Sequence, residues 1–369
     1  MLKVLFLIHD LGQGGAEKVL VNLVNNMDQS KFDISVTALF GGGVNEQYLS
    51  SDIHYRAVFP REVPGNSHLM KLLSPVQLHK LCIRDRYDIE VSYLEGPSAR
   101  VISGCPDHRT KLVSWIHVEI HNMQKLTKSF RSEDEARSCY DRFDQTVCVS
   151  QYVHDDFCRL LSFQKPCRVL YNTVESDKIL ALSEESGLGL AEDGKLRLVA
   201  VGTLKESKGY DRLLRIIKRL RDESYPIRLY ILGIGPDRPV LEKYIVENKL
   251  NDTVTLLGYQ TNPYKYVAKC DLFVCASHAE GFSTAATEAL IVGTPVCTVE
   301  VSGMKEMLGE NNEYGLVTEN SEDALYRGIR QLLDDPALLA HYREKAVQRG
   351  KTFSTRETVQ AVEQMLLDL

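Results

Sequence analysis

The chain contains no Cys-x-x-Cys pair, no long apolar run, a single tryptophan and no excess of positive charge over its 369 residues. Nine cysteines stand singly, at Cys82, Cys105, Cys139, Cys148, Cys158, Cys167, Cys270, Cys275 and Cys297. That pattern argues against a disulfide framework and for reduced core or surface thiols in a cytoplasmic protein. No apolar stretch approaches the roughly 18 residues that would cross a bilayer, so any membrane contact is expected to be peripheral. Met1-Leu2-Lys3 passes straight into Val4–Ile8, which has the length of a strand and stops at His9-Asp10, so no secretory signal is expected. The net charge is −6; residues 1–170 are electroneutral and residues 171–369 hold all of it. A nucleic-acid binder needs a basic face, and none is expected here. The neutral first half is compatible with approach to an anionic membrane.

What is present is a soluble-protein mixture, 44% hydrophobic and 25% charged, in a length that suits two α/β domains. Short apolar runs alternate with amphipathic stretches, the pattern of βαβ units. In the first half Val4–Ile8, Ile34–Leu39, Ile53–Val58, Ile89–Tyr93, Lys111–Trp115 and Gln145–Val149 read as strands. Gly15–Met27 reads as a helix with Ala16, Val19, Leu20, Leu23 and Val24 on one face. In the second half Leu196–Val201, Arg228–Leu232, Val254–Leu257, Leu272–Cys275 and Pro295–Thr298 read as strands. Helices are expected near Tyr210–Arg221, Pro236–Asn248 and Thr284–Val292. The segment Arg168–Val174 marks the domain boundary, followed by a polar, loop-like stretch from Ser183 to Lys195. The terminal helix from Ser354 to Leu369 follows a finished domain and needs a surface to pack on; the first domain is one solution.

Chemistry concentrates after residue 171. Cys270–Ser277 reads as a strand ending in small residues, and His278-Ala279-Glu280-Gly281-Phe282-Ser283-Thr284 leads into a helix that carries Glu288. Unpaired N–H groups at that helix mouth suit an anion such as a diphosphate. Two carboxylates beside it suit vicinal diols. By spacing alone, a loop carboxylate and an exposed helical glutamate are an equally good account. Val199–Asp211 is a strand, a glycine turn and a helix start, with Lys208 where a phosphate could meet both its ammonium and the helix dipole. The order Gly-Lys-Ser/Thr of a Walker loop is absent. Leu229–Pro236 feeds a turn through Gly233 and Gly235, and Leu256–Tyr259 ends another strand. All four segments fall at carboxyl ends of strands, where open α/β sheets bind ligands.

These motifs, in this order and spacing, resemble the family-4 retaining glycosyltransferases. The resemblance is carried by Gly14-Gly15-Ala16-Glu17, Tyr171-Asn172, the Gly-x-Leu…Lys-Gly turn at Gly202–Gly209, Gly233-Ile234-Gly235-Pro236, Leu257-Gly258-Tyr259, Glu280…Glu288 and Gly303-Met304-Lys305-Glu306. It spans nearly the whole chain; each motif alone is weak, and the series is specific. Gly202–Leu214 and Ser302–Val317 further look like the branch that builds bacterial surface polysaccharides such as capsule. The resemblance implies a GT-B fold of two Rossmann-like doubly wound domains facing a central cleft. Residues 1–170 would be the acceptor side, 171–353 the nucleotide-sugar side, and the helix 354–369 would cross back to the first domain.

The resemblance also implies roles. Lys208 would bind the donor diphosphate, Glu280 the donor-sugar hydroxyls, and the amides of Phe282, Ser283 and Thr284 the phosphates and sugar. Glu288 would hold the ribose diol, Gly233 and Tyr259 would flank the base, His117 would reach the donor sugar, and Gly15 would let a loop close on the diphosphate. Thr203 stands where the family usually carries Arg, leaving Lys208 as the one strong cation, with Lys205 or helix-end amides to compensate. The expected reaction is front-face transfer, with retention, of a sugar from a nucleotide diphosphate (a UDP-sugar favoured) to a glycan or lipid-linked acceptor at the inner face of the membrane. No Asp-x-Asp occurs, so no metal site and no obligatory metal or other cofactor is expected. His117 and His121 alone do not make a zinc site, lacking a third ligand. Lys125–Arg131 reads as a solvated basic edge, with contact to an anionic lipid carrier as the other option. A sugar-nucleotide epimerase of the same architecture and a non-catalytic nucleotide-sugar-binding protein remain alternatives. A nicotinamide dehydrogenase, the outside enzyme class, would want Gly-x-Gly-x-x-Gly after the first strand, which Gly12–Glu17 does not supply.

Overall fold

The structure, a computed structural model, describes residues 1–61, 70–186, 190–191, 193–280 and 282–369. It divides into two units: Met1–Val174 together with Thr355–Leu369, and Glu175–Ser354.

Unit 1 is a seven-stranded parallel sheet of β1 (Leu2–Ile8), β2 (Phe32–Phe40), β3 (His54–Phe59), β4 (Ile89–Ser92), β5 (Lys111–Ile116), β6 (Gln145–Cys148) and β7 (Cys167–Val169). Its spatial order is β3-β2-β1-β4-β5-β6-β7, so the direction of winding reverses beside β1. Val4 to Ile8 are fully buried, as expected of a central parallel strand covered on both faces. The helix Gly15–Asn26 buries Val19, Leu20, Leu23 and Val24, the face its spacing predicts. β7 is not evident from the sequence: three residues of a partly exposed edge carry too little pattern. Its pairing with β6 keeps Cys167–Val169 in unit 1, and the break between units falls after Val174.

The last helix, Thr355–Leu367, belongs to unit 1 and buries Val359, Val362, Met365 and Leu366. Glu363 accepts a hydrogen bond from the Asp28 amide at 2.6 Å, and the Thr355 hydroxyl donates to the Val174 carbonyl at 2.8 Å.

Unit 2 is a six-stranded parallel sheet of β8 (Leu196–Val201), β9 (Ile227–Leu232), β10 (Val254–Gly258), β11 (Leu272–Cys275), β12 (Val296–Val299) and β13 (Leu316–Thr318). The order is β10-β9-β8-β11-β12-β13, with the reversal between β8 and β11. The helix Tyr210–Asp222 covers β8 by burying Leu213, Leu214, Ile216, Ile217 and Leu220, which sit in one apolar cluster with Leu198, Ala200 and Leu229. β13, again three residues at an edge, is the second strand not evident from the sequence. Gly281, read from the sequence at the mouth of a helix, lies outside the described residues, as do 187–189 and 192 of the polar stretch before β8.

Candidate active site

Winding reverses between β8 and β11, and the carboxyl ends of strands at such a reversal are where doubly wound sheets take ligands. Two loops meet there. After β8, the chain runs through Gly202, Thr203 and Lys205 into a single 3-10 turn, Glu206–Lys208. Gly209 then takes φ 63° and starts the long helix; a Cβ there would collide with the Ala276 carbonyl oxygen. Glycine therefore lets the Lys208 turn press against the end of β11. The His278 amide donates to the Ser207 carbonyl at 2.8 Å, which joins the two loops a second time.

Across this junction Lys208 Nζ lies 2.6 Å from Glu280 Oε1. The same oxygen accepts the Ser277 hydroxyl at 2.6 Å, and the Cys275 Sγ is 4.0 Å away. Burial, with the Glu280 charge adding to it, pushes the Cys275 thiol up, so it stays protonated. Lys208 keeps 24% of its side chain exposed and Glu280 10%, so the pair sits at a wet edge with its cation the more accessible partner.

Arg212 carries this arrangement and was not read from the sequence as functional. It is 4% exposed. Its Nε donates to the Ala276 carbonyl and one Nη to the Ser277 carbonyl, both at 2.7 Å; the other Nη donates to Asn320 Oδ1 at 2.9 Å. Three directed bonds fix the strand end from which Ser277 and Glu280 project. A signal was there: Arg212, Ile216 and Leu220 recur at i, i+4 and i+8 on the buried face, whereas Arg215 and Arg219 share the exposed stripe of Asp211 and Glu223.

Glu288 lies one turn inside the helix Thr284–Ile291 and is 7% exposed, so it is not an exposed helical glutamate. Tyr264 donates its hydroxyl to Glu288 Oε1 at 3.3 Å. Ser283 caps that helix, its hydroxyl accepting the Ala286 amide at 3.4 Å. Phe282 is buried, its ring edge-on to Phe353 at 6.3 Å, and Thr284 is half-buried. Thr203 and Lys205 are exposed in the turn after β8. Gly233 takes φ 141°, and a Cβ there would collide with the Gly202 carbonyl oxygen: glycine allows the turn after β9 to touch the turn after β8. Tyr259, just past the end of β10, is 51% exposed.

Gly15 and His117 lie in unit 1. Gly15 is exposed as the first residue of its helix, after Gly14 as N-cap. His117 follows β5, at the carboxyl end of the unit 1 sheet. Its ring packs between Tyr93, centroid 4.9 Å away, and Trp115 at 6.4 Å. Burial drives its pKa down to about 3, against a hydrogen bond to the Tyr93 backbone, so the imidazole is neutral. Its Nε2 is buried with no hydrogen-bond partner among the described residues, which is costly unless something else meets it. His121 does not share a helix with His117; it takes φ 66° in an irregular stretch and is exposed. Lys125 donates to the Glu119 carbonyl, and Arg131 to the carbonyls of Lys71 and Leu72, so two cations of the basic edge are engaged within unit 1. Among the described residues no helix is long and apolar enough to cross a membrane.

Two doubly wound parallel-sheet units, one with a lysine, two carboxylates and a capped helix near its switch point, are the architecture of GT-B glycosyltransferases. Residues 13–178 match the family model for glycosyltransferase family 4, and residues 185–351 the model for glycosyl transferases group 1; the chain belongs to this family of glycosyltransferases. It is 30% identical, over 96% of each chain, to the N-acetylgalactosamine-N,N'-diacetylbacillosaminyl-diphospho-undecaprenol 4-alpha-N-acetylgalactosaminyltransferase of Campylobacter jejuni. To the lipopolysaccharide core biosynthesis glycosyltransferase LpsD of Rhizobium meliloti it is 31% identical, over 98% of this chain and 96% of that one. Among solved structures, Anabaena HepE in complex with UDP and glucose superposes with a TM-score of 0.80 over the full length of both chains, at 18% identity. That likeness carries the fold.

Proposed function

We propose that the protein transfers a hexose from a UDP-sugar, with retention at the anomeric carbon, onto a lipid-linked or lipopolysaccharide-type glycan at the inner face of the membrane. The observation that carries this reading is the Lys208–Glu280–Ser277 cluster where β8 and β11 diverge, with buried Glu288 one turn into the adjoining helix. The two relatives supply the acceptor class, since one is named for a diphospho-undecaprenol acceptor and the other for lipopolysaccharide core.

The chemistry follows from charge. Departure of the nucleoside diphosphate leaves oxocarbenium character on the sugar and negative charge on the phosphates. Lys208 and the amides of Phe282, Ser283 and Thr284 would stabilise that charge as it develops. Glu280, hydrogen-bonded on one oxygen, has its other oxygen for sugar hydroxyls, and Glu288 is assigned to the ribose diol. A buried neutral His117 would give a sugar hydroxyl a hydrogen bond without adding charge. Gly15, Thr203, Gly233 and Tyr259 complete the assigned donor contacts. With a lysine at the diphosphate, no metal is needed for transfer, and none is assigned.

A thermal-shift panel of UDP-, GDP- and dTDP-sugars on the full chain tests the reading, because a ligand that binds the native state raises Tm. A UDP-sugar should give the largest rise and release UDP when a polyprenyl-diphosphate sugar is added, with an α linkage in the product. If no nucleoside diphosphate sugar stabilises the protein, the donor assignment is lost; a shift without UDP release leaves binding and removes transfer.

A further inference from the structure

We infer that unit 1 contains a structural zinc site formed by Cys148, His154, Cys158 and Cys167, in which three sulfurs and one imidazole nitrogen are drawn together by a single β-α-β segment. These groups lie far from any assigned donor contact in the sequence. Cys148 ends β6, Cys167 begins β7, and His154 and Cys158 are four residues apart on the helix Gln151–Leu161 between them. Parallel pairing of β6 with β7 brings the Cys148 and Cys167 sulfurs to 3.7 Å. The i, i+4 spacing puts His154 Nε2 3.7 Å from Cys158 Sγ. The ligand atoms of His154, Cys158 and Cys167 all lie within 4.8 Å of one another.

Three of the ligands, His154, Cys158 and Cys167, are thus within reach of one ion, and Cys148, outside that group but 3.7 Å from Cys167, is the fourth. Zinc takes thiolate sulfur at about 2.3 Å and imidazole nitrogen at about 2.0–2.1 Å, so the edges of its ligand tetrahedron are about 3.6–3.8 Å. The histidine is also held as a ligand should be. Asp155 Oδ1 lies 2.8 Å from His154 Nδ1, which places the proton on Nδ1 and turns the Nε2 lone pair towards the thiols. Gln151 donates to the same carboxylate oxygen at 2.7 Å. Cys148 is buried, whereas His154, Cys158 and Cys167 are half-buried, so an ion can enter from the surface and then be closed off. Two or three sulfurs and a nitrogen select zinc over calcium or magnesium, and with Cys148 turned in as the fourth ligand the coordination would be full.

A second cluster, His79, Glu90 and Cys105, is already explained without a metal. His79 Nε2 and Glu90 Oε2 lie 2.8 Å apart as a fully buried ion pair.

Zinc uptake would join the edge strand β7 to β6 and the helix, and each thiol that binds gives its proton to the buffer. The test uses the full chain, purified in reductant and freed of metal, titrated with Co²⁺ and then Zn²⁺. One Co²⁺ per chain is expected, with the thiolate charge-transfer band and visible bands of tetrahedral cobalt, bleached by one equivalent of Zn²⁺ and accompanied by a rise in Tm. Cys158→Ser with Cys167→Ser should abolish the bands, and His54→Ala, an exposed histidine elsewhere, should leave them. Because loss of cysteines can disturb packing, Asp155→Asn is the second variant; its side chain is exposed, and zinc affinity should fall about 10-fold or more. Absence of a stoichiometric cobalt–thiolate band in the reduced chain overturns the inference. So does a band that survives the double serine variant, or a Cys148–Cys167 disulfide that forms in air while the reduced chain binds no metal.

Discussion

Lys208 Nζ and Glu280 Oε1 meet at 2.6 Å across the junction of two loops that belong to different strands. The cation assigned to the leaving diphosphate and the carboxylate assigned to the sugar therefore hold each other in position. On the proposed roles, a diphosphate that takes Lys208 would compete with Glu280 and free the carboxylate for the sugar. Lys208→Ala should lower kcat by about 10²-fold or more, as expected for loss of a preorganised charge at a developing anion. Combined with Glu280→Gln, the losses should be clearly less than additive, because the two residues share one interaction. Steady-state kinetics of the two single variants and the double variant with one donor decide this; an unchanged kcat and KM for Lys208→Ala would remove it from the site.

Lys205 and Thr203 separate two accounts of the missing arginine. Both are exposed in the turn after β8, and the Lys205 amide donates to the Thr203 carbonyl. Lys205→Ala should change kcat/KM by less than about 3-fold, the behaviour of a solvated lysine. A loss as large as that of Lys208→Ala would show that Lys205 replaces the family's arginine.

Arg212 is the residue whose loss should damage the site without touching substrate. Its three bonds run to two carbonyls and an amide oxygen. Arg212→Met keeps much of the volume and removes the donors; unfolding stability should fall by about 2–4 kcal/mol, since buried acceptors lose charged partners. Donor KM should rise with it, as the strand end carrying Glu280 loosens. Chemical denaturation and kinetics on the same preparation check both.

Two histidines make opposite contributions to the pH dependence of stability. At His79, burial opposes the charge, but hydrogen bonds to Cys105 and Glu90 and the Glu90 charge overcome it and raise the pKa to about 9. Its folded value exceeds the unfolded one, so its stabilisation is complete below about pH 6.5 and is lost as pH rises through 9. His117, held down to about 3 by burial, behaves in the reverse sense: its contribution is complete above about pH 6.5 and is lost as pH falls towards 3. Tm measured from pH 6.5 to 9 should fall less steeply in His79→Gln than in the parent. A parallel pair of curves would contradict the assignment. In the pH–rate profile, no limb between pH 5 and 9 should disappear with His117→Asn.

Transfer should proceed in EDTA-treated buffer and gain nothing from Mg²⁺ or Mn²⁺. If EDTA strips the zinc inferred in unit 1, Tm should fall and only Zn²⁺ should restore it, which separates a structural metal from a catalytic one. Activity abolished by chelation and recovered with Mg²⁺ would assign the diphosphate to a metal instead of Lys208.

The strands of both sheets were legible wherever they are central, because residues such as Val4–Ile8 and Leu198–Ala200 are apolar on both faces. β7 and β13 were not: three residues at a half-exposed edge have no periodicity to read. Lys208, Glu280 and Glu288 were legible as residue types at strand ends, but their partners were not. Arg212 is legible only as an arginine on an apolar helix face, and the loop turn that brings the Ser277 hydroxyl to Glu280 has no pattern to read. The four zinc-site residues looked scattered for a related reason. Their spacings of six, four and nine become a cluster only when a helix and two paired strands fold them together.

The hydrogen bond from Thr355 to Val174 has a topological consequence. Both residues belong to unit 1, and everything between them is unit 2. The chain is thus one sheet domain interrupted by another, entering and leaving the insertion at points a single hydrogen bond apart. An inserted domain with adjoining ends can be exchanged as a cassette. On the proposed assignment of the donor to unit 2, replacing residues 175–354 with the corresponding unit of a relative that uses a different sugar should exchange donor specificity and leave the fold of unit 1, including its returning terminal helix, intact.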